Sequence, residues 1–255
     1  QFLRQRLEVG GVVLVYLLGR RLYGLRGGLF GATLLSLSVL NIQQSHFFTV
    51  DTFASFFALA TVYLAVRASE DGHWWDYALM GLALGAAVAS KLSLFNLGLV
   101  AALAAGAHVH RSYARREGGL YVILEQAAVR LLLAALLSVL FFRVAQPISF
   151  EGPSVLNFSL NEQWLANMRE IGEMVSGERD MPPSHQWTNR AMLWFPWQNM
   201  VLWGMGLPLG LAAWAGWGLA TFELVRKRRL NHLLPVVYVA LVFLYQGTQF
   251  VKTMR

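Results

Sequence analysis

The sequence contains no cysteine among its 255 residues, which excludes both a disulfide framework and a thiolate metal site. Charged residues are also scarce, at 14% of the chain, whereas about 25% is usual in soluble domains. No glycine-rich phosphate loop follows a strand pattern, so we expect no nucleotide-sugar site. No internal repeat is visible, so the signature of many transporters is missing. Hydrophobic residues, in contrast, make up 56% of the chain. Together with the scarcity of charge, this content indicates an integral membrane protein.

Eight apolar segments alternate with polar connections, as expected for membrane-spanning helices of about 20 residues. The segments are 7–18, 28–42, 52–66, 77–89, 92–107, 121–145, 200–225 and 233–250. They predict an all-α, polytopic transmembrane helix bundle that occupies residues 1–255. The chain opens on Gln1 rather than methionine, and we expect it to be a piece of a longer protein.

The formal net charge of +7 is concentrated in short basic clusters between apolar segments. This distribution is typical of topology signals, so we predict no nucleic-acid partner. By the positive-inside rule, three basic connections belong on the cytoplasmic side. These connections contain Arg20, Arg21 and Arg26, then Arg111, Arg115 and Arg116, and finally Arg226, Lys227, Arg228 and Arg229.

The parity of the crossings then decides which residues lie outside. Asp51 falls outside, and residues 77–107 must cross out and return, because the Arg111 cluster is inside again. A single helix of that length would be about 45 Å long, too long for a hydrocarbon core of about 30 Å. We therefore predict a hairpin with Lys91 at its outer end, followed by an external loop at about 146–198.

The external loop contains one amphipathic pattern. Apolar residues recur at helical spacing between Leu160 and Val175, which predicts a helix lying on the outer leaflet. Pro182 and Pro183 then prevent any continuation of that helix.

The topology brings one carboxylate and several cations to the outer face. A lipid-linked sugar phosphate, anionic at one end and hydroxylated at the other, suits such a surface. The candidate catalytic residue is Asp51, and the candidate substrate-binding residues are Lys91, His185, Gln186, Arg190, Lys252 and Arg255.

Each candidate also has a purely structural interpretation. Asp51 is equally well explained as a helix N-cap, Lys91 as a snorkelling lysine, and Arg190 and Arg255 as interfacial anchors. A metal site containing His46 with Asp51, or Asp180 with His185, has only two ligands in either case, so we assign no metal ligand.

Three stretches of the chain carry a family resemblance. The segments "SHFFTVDTFASFFALATVYLAVR", "GLALGAAVASKLSLFNLGLV" and "QFVKTMR" resemble the polyprenyl-phosphate-sugar-dependent membrane glycosyltransferases, namely the protein-O-mannosyltransferases and aminoarabinose transferases. The segment at 182–217 resembles bacterial membrane proteins grouped with these enzymes.

The resemblance implies roles for individual residues. Asp51 matches the second acidic position of the active site, Lys91 the hairpin lysine, and Lys252 or Arg255 the basic position that meets the lipid phosphate. It also marks a departure, because the family's main catalytic acid lies in an external loop that precedes the first residues of this chain.

The resulting functional hypothesis is transfer of a sugar from a polyprenyl-phosphate donor to an acceptor. We expect it at the outer face of a bilayer, in a multi-pass protein of the bacterial plasma membrane. A carboxylate would deprotonate the acceptor, and cations or a divalent metal ion would stabilise the departing phosphate. The alternatives are a transporter or flippase for an anionic lipid-linked substrate, and a non-catalytic membrane scaffold.

Overall fold

The computed structural model of the protein describes residues 2–39, 42–43, 50–179 and 182–252. This part of the chain is all-α, with one isolated β-bridge between Phe150 and Leu160 and no strand among these residues. The helices are α1 (Phe2–Ser36), α2 (Val50–Asp71), α3 (Trp74–Ser90), α4 (Leu97–Ala114), α5 (Leu120–Ala145), α6 (Glu162–Ser176), α7 (Trp194–Asn199), α8 (Leu207–Arg226) and α9 (Leu233–Gly247). The predicted fold class is confirmed.

Helix α1 is two antiparallel halves rather than one rod. The chain reverses at Gly24, whose φ of 78° and ψ of −177° are not helical. A Cβ atom added to Gly28 would lie only 2.6 Å from the carbonyl oxygen of Tyr16, so the two halves pack backbone to backbone. The sequence predicted a separate basic connection here. In the structure most of that connection is helical, because glycine allows the turn to be made at a single residue.

The predicted hairpin at residues 77–107 is confirmed. Helix α3 ends at Ser90, a 3₁₀ turn follows at Leu92–Asn96, and α4 runs back to Ala114. A Cβ atom on Gly72, just before α3, would clash with the ring of His108 near the end of α4. The start of α3 and the end of α4 therefore lie close together, and Lys91 lies at the opposite end of the hairpin.

The core lies between α2, α3, α4 and α5, where small residues allow close helix contact. Ala58 and Ala65 of α2 are almost fully buried. A Cβ atom on Gly81 would overlap Ala134 of α5, and one on Gly85 would overlap Ser138. Glycines four residues apart lie on one helix face, and such pairs permit tight packing in membranes, where association depends on van der Waals contact.

Among the residues that the structure describes, four helical stretches are long and apolar enough to cross a membrane: Val50–Asp71, Leu92–Ala114, Leu120–Ala145 and Leu230–Gly247. Of the most apolar part of each, 56% is buried inside the protein in Val50–Asp71 but only 17% in Leu120–Ala145. An apolar helix with so little buried surface is suited to contact with lipid tails. The protein is thus an integral membrane protein with α2 at its centre and α5 at its periphery.

The three basic connections converge on one end of the bundle, which we call the basic end. Arg21 forms ion pairs with Glu70 at 2.5 Å and Asp71 at 2.6 Å. Arg111 donates a hydrogen bond to Asn231 at 3.1 Å. The ring of Tyr23 stacks on that of His232. These contacts link the α1 turn, the end of α4 and the α8–α9 connection.

The segment after α5 is fixed by a buried arginine. Arg143, 2% exposed, donates hydrogen bonds to the carbonyl oxygens of Asn157 at 2.9 Å and Ser154 at 2.5 Å. Its guanidinium also lies 4.8 Å from the centre of the Phe150 ring. Backbone carbonyls therefore satisfy this charge, and they hold the loop before α6 against the end of α5.

Helix α6 confirms the predicted amphipathic helix. The side chain of Asn161 caps it by accepting a hydrogen bond from the Trp164 backbone at 3.1 Å. Gly177 ends it in the left-handed region, with φ of 85°. The backbone N–H of Phe250 donates to the carbonyl of Val175 at 3.0 Å, so the end of α6 contacts the segment after α9.

Helix α8 starts later than the sequence predicted. The apolar segment predicted to begin at 200 is first a π-helical turn, Met200–Gly204, and α8 begins only at Leu207. Gly206, with φ of 80°, interrupts the helix between them. Hydropathy alone does not reveal this break, because both sides of it are apolar.

Candidate functional site

Asp51 lies in the first described turn of α2 and is 17% exposed. A negative charge in this turn interacts favourably with the positive end of the helix macrodipole. As Asp51 is itself helical, its interpretation as the N-cap is not supported. Its carboxylate instead accepts a contact from outside its own helix.

That contact comes from Lys91, whose Nζ lies 3.0 Å from Oδ1 of Asp51. Lys91 is the C-cap of α3 and has an extended backbone, with φ of −152° and ψ of 108°. The end of α3 and the start of the 3₁₀ turn therefore aim its side chain across to α2. A lysine that only snorkels would direct its amine away from the protein. The amine of Lys91 instead contacts Asp51, and only 31% of its side chain is exposed.

Asp51 and Lys91 line a cavity of about 350 Å³ at the end of the bundle opposite the basic end. Helix α1 contributes Glu8, and α9 contributes Tyr238 and Gln246. The remaining lining residues are mainly apolar and include Leu7, Leu35, Phe56, Leu59, Leu94 and Val242. A few polar groups within a mainly apolar cavity are the usual composition of a small-molecule site.

Glu8 is the residue that sequence reasoning missed. It lies in the apolar run of the first half of α1 and is half-buried in the structure. A carboxylate within a spanning segment is costly and therefore rare unless it has a function. That rule, applied to the apolar segment at 7–18, would have found Glu8.

Lys252 is placed differently from Lys91. Only 4% of it is exposed, and its Nζ donates a hydrogen bond to the carbonyl oxygen of Phe250 at 3.3 Å. Lys252 is not among the residues that line the Asp51 cavity. Arg255 lies outside the described residues. The substrate-binding role of both residues stays a prediction.

His185, Gln186 and Arg190 are exposed and lie in or just after the 3₁₀ turn Pro182–Trp187. Gln186 donates to the carbonyl oxygen of Pro183 at 2.8 Å. The guanidinium of Arg190 lies 5.0 Å from the centre of the Phe195 ring, the geometry of a cation–π contact. None of the three is among the residues lining the cavity with Asp51, so their role in binding also stays a prediction.

Within the described ranges, no group of three or more histidine, aspartate or glutamate side chains is arranged to hold a metal ion. Of the two pairs considered from the sequence, His46 and Asp180 lie outside those ranges. The cavity therefore offers carboxylates and an ammonium group as its charged side chains.

Comparison with known proteins identifies one family. No curated protein and no solved structure matches the chain significantly. The family described as dolichyl-phosphate-mannose-protein mannosyltransferase matches residues 4–136, just over half of the chain. The matched region extends from α1 into α5 and contains Glu8, Asp51 and Lys91. The chain belongs to this mannosyltransferase family, whose members are glycosyltransferases.

Proposed function

We propose that the protein transfers a sugar from a polyprenyl-phosphate carrier to an acceptor at the outer face of the membrane. One observation carries the proposal: the Asp51 carboxylate and the Lys91 ammonium group meet at 3.0 Å beside a cavity, inside the region that matches the family. The three basic connections supply the orientation. If they face the cytoplasm, as the positive-inside rule requires, the cavity opens on the other side.

The reaction needs two kinds of assistance. A bond forms between the acceptor oxygen and the anomeric carbon of the sugar, while the bond from that carbon to the phosphate oxygen breaks. The acceptor proton passes to a base, and the carrier leaves as polyprenyl phosphate. A carboxylate within hydrogen-bond reach of the acceptor can take the proton, and a fixed cation can stabilise the charge on the departing phosphate.

We assign the cation role to Lys91. Its ammonium group lines the cavity, and Asp51 holds it in place through the ion pair. A positioned cation loses less conformational freedom when it meets the phosphate than a mobile lysine would. Asp51 then serves as a positioning residue for Lys91 and as an acceptor of hydrogen bonds from sugar hydroxyls.

We assign the acceptance of the proton to Glu8 rather than to Asp51. This assignment differs from the family resemblance, which places the main catalytic acid before the first residues of this chain. The Asp51 carboxylate is already engaged by the ammonium group of Lys91, at 3.0 Å. Glu8 lines the same cavity from α1. The acceptor hydroxyl would then approach from the α1 side and the carrier phosphate from the side of Lys91.

The other predicted residues would act around this cavity. Lys252, Arg255, Arg190, His185 and Gln186 are proposed to contact the carrier or the acceptor when these are bound. A divalent metal ion remains part of the hypothesis as a possible partner of the phosphate. The proposed membrane is the bacterial plasma membrane, in keeping with the resemblance of residues 182–217.

The test is transfer of labelled sugar from a panel of polyprenyl-phosphate donors, in membranes that contain equal amounts of each variant. We expect transfer by the wild type, a large loss in Glu8→Gln and in Lys91→Met, and a smaller loss in Asp51→Asn. Asp71→Asn is the matched control, because it removes an aspartate from an ion pair at the basic end. It should retain transfer.

Two outcomes would contradict the proposal. If the wild type transfers no sugar from any donor but moves a labelled anionic lipid between leaflets, the protein is a flippase. If transfer occurs but Glu8→Gln and Lys91→Met match the control, the chemistry takes place away from this cavity.

A further inference from the structure

A second cavity lies at the basic end, far from the site described above. It has a volume of about 590 Å³ and is formed by the α1 turn, the end of α4 and the α8–α9 connection. Helix α4 alone separates the two ends by about 27 Å, at 1.5 Å per residue. Its lining residues include Arg111, Arg115, Glu223, Arg228 and Arg229.

The charge of this cavity is strongly unbalanced. Four guanidinium groups line it, and Glu223 is the one carboxylate among its lining residues. That carboxylate is already engaged by Lys227 at 2.8 Å, Arg229 at 2.9 Å and His232 at 3.1 Å. Glu223 therefore compensates the charge of Arg229 but leaves the charges of the other three arginines.

Two of these arginines have partners that neutralise them little or not at all. Arg111 donates to neutral acceptors, namely the carbonyl and hydroxyl oxygens of Ser69 at 2.9 and 2.7 Å and the amide oxygen of Asn231. Arg115 lies 3.5 Å from Glu117, and 58% of its side chain is exposed. An ion pair this exposed contributes little and exchanges easily for a better anion.

Arg228 is the least compensated of the four. It has no ion-pair partner among the described residues, and its φ of 52° lies in the left-handed region. This region is sterically unfavourable for a residue other than glycine. The connection therefore holds an arginine at the cavity at some expense to its own stability.

The charged cavity also has apolar lining residues, Leu22 and Leu230. On the same last turns of α8 as Glu223, but turned away from it by the helical repeat, Phe222 and Val225 are 53% and 69% exposed. A ligand that is anionic at one end and apolar at the other could use the charged groups and these apolar side chains, whereas a free phosphate ion would use only the charged groups.

We propose that the cavity at the basic end binds the phosphate headgroup of an anionic phospholipid, with its acyl chains against α8. The positive-inside rule is sufficient to explain why arginines collect at this end. It does not explain why arginines from separate connections line one cavity beside exposed apolar side chains. Basic pockets between spanning helices on the cytoplasmic side are suited to phosphate headgroups. The site is separate from the proposed sugar-transfer site.

The test counts lipids bound to the purified protein by native mass spectrometry, after titration with phosphatidylglycerol or with phosphatidylcholine. We expect the wild type to retain phosphatidylglycerol preferentially. Each arginine removed should weaken that binding about fivefold, so Arg115→Gln combined with Arg228→Gln should weaken it about 25-fold. The matched control is Arg26→Gln, because Arg26 is exposed at the same end but is not a lining residue. It should bind like the wild type.

Three results would overturn the proposal. Equal retention of phosphatidylglycerol by the wild type and the double variant would leave the cavity without a role in binding. An equal loss in Arg26→Gln would mean that binding reflects the diffuse charge of the whole end. Displacement of the lipid by an equal concentration of inorganic phosphate would identify a site for a free anion. Thermal unfolding of each variant is measured in parallel, and Arg228→Gln alone replaces the double variant if the latter is unstable.

Discussion

Replacing Asp51 with asparagine removes one charge from the ion pair at the cavity and leaves the Lys91 ammonium group without its partner. Asparagine has nearly the same shape as aspartate, so packing at the start of α2 should be preserved. The expected consequence is therefore electrostatic. Lys91→Met removes the other charge while keeping an unbranched apolar side chain, and the double variant removes both.

The size of the effect follows from the geometry. Two unit charges 3.0 Å apart attract by about 5 kcal/mol at an effective dielectric constant of about 20. Desolvation offsets part of this attraction, because only 17% of Asp51 and 31% of Lys91 are exposed. Exposed pairs contribute roughly 0.2–1 kcal/mol, and breaking a fully buried pair costs about 3–5 kcal/mol. For this half-buried pair we expect a coupling energy of about 1–3 kcal/mol between the two.

The measurement is a double-mutant cycle on the free energy of unfolding in detergent. It uses the wild type, Asp51→Asn, Lys91→Met and the double variant. The double variant should lose less stability than the sum of the losses in the two single variants. The reason is that each single variant leaves one partly buried charge unpaired, whereas the double variant leaves none. Sugar transfer is measured on the same preparations, so that loss of activity can be separated from loss of folded protein.

A coupling energy near zero would refute the reasoning, because it would mean that the two side chains do not interact in the folded protein. If the coupling energy has the expected size but Lys91→Met retains full transfer activity, the ion pair stabilises the fold and has no part in catalysis. The expected combination is a measurable coupling together with a loss of transfer in Lys91→Met that exceeds the loss of folded protein.

Three further predictions concern the fold. As the protein has no native cysteine, Lys91→Cys in intact cells should react with an impermeant maleimide, and reaction only after the inner face is opened would contradict the orientation. On α6, a spin label at Ile171→Cys should be more accessible to oxygen and less accessible to a polar nickel reagent than one at Arg169→Cys, which lies on the opposite face of the helix. Equal accessibilities would argue against a helix lying on the membrane surface. Gly81→Ala should lower the unfolding temperature because its Cβ meets the α5 backbone, whereas Gly106→Ala, in open space, should be neutral or slightly stabilising; similar effects of both changes would exclude close packing of α3 on α5.

Two kinds of sequence information were enough to predict the architecture. The membrane class follows from composition, and the order of crossings follows from the placement of arginines. Both are properties of short segments and need no knowledge of packing. The α3–α4 hairpin, with Lys91 at one end and Arg111 at the other, was predictable because a single span of that length does not fit the bilayer.

Local breaks were harder to predict. Apolar residues continue through the π-helical turn at Met200–Gly204, so hydropathy placed the start of the next span too early. A connection between the first two apolar segments was predicted, but hydropathy did not show that the turn is made at the single residue Gly24. In each case one glycine with positive φ decides the local structure, and the sequence contains 23 glycines, most of which do not act in this way.

The sequence by itself thus determined that the chain spans a membrane as helices and that Asp51 and Lys91 lie at the same end. Only the tertiary structure decided that these two side chains touch and that Glu8 lines the same cavity. It also decided that Lys252 packs against Phe250 and that three basic connections enclose a second cavity. The physical reason is that hydropathy and loop charge fix how far each residue lies along the membrane normal. Which side chains meet at a given depth depends on how the helices rotate and pack, and that is decided by long-range contacts such as those of Gly81 and Gly85 with α5.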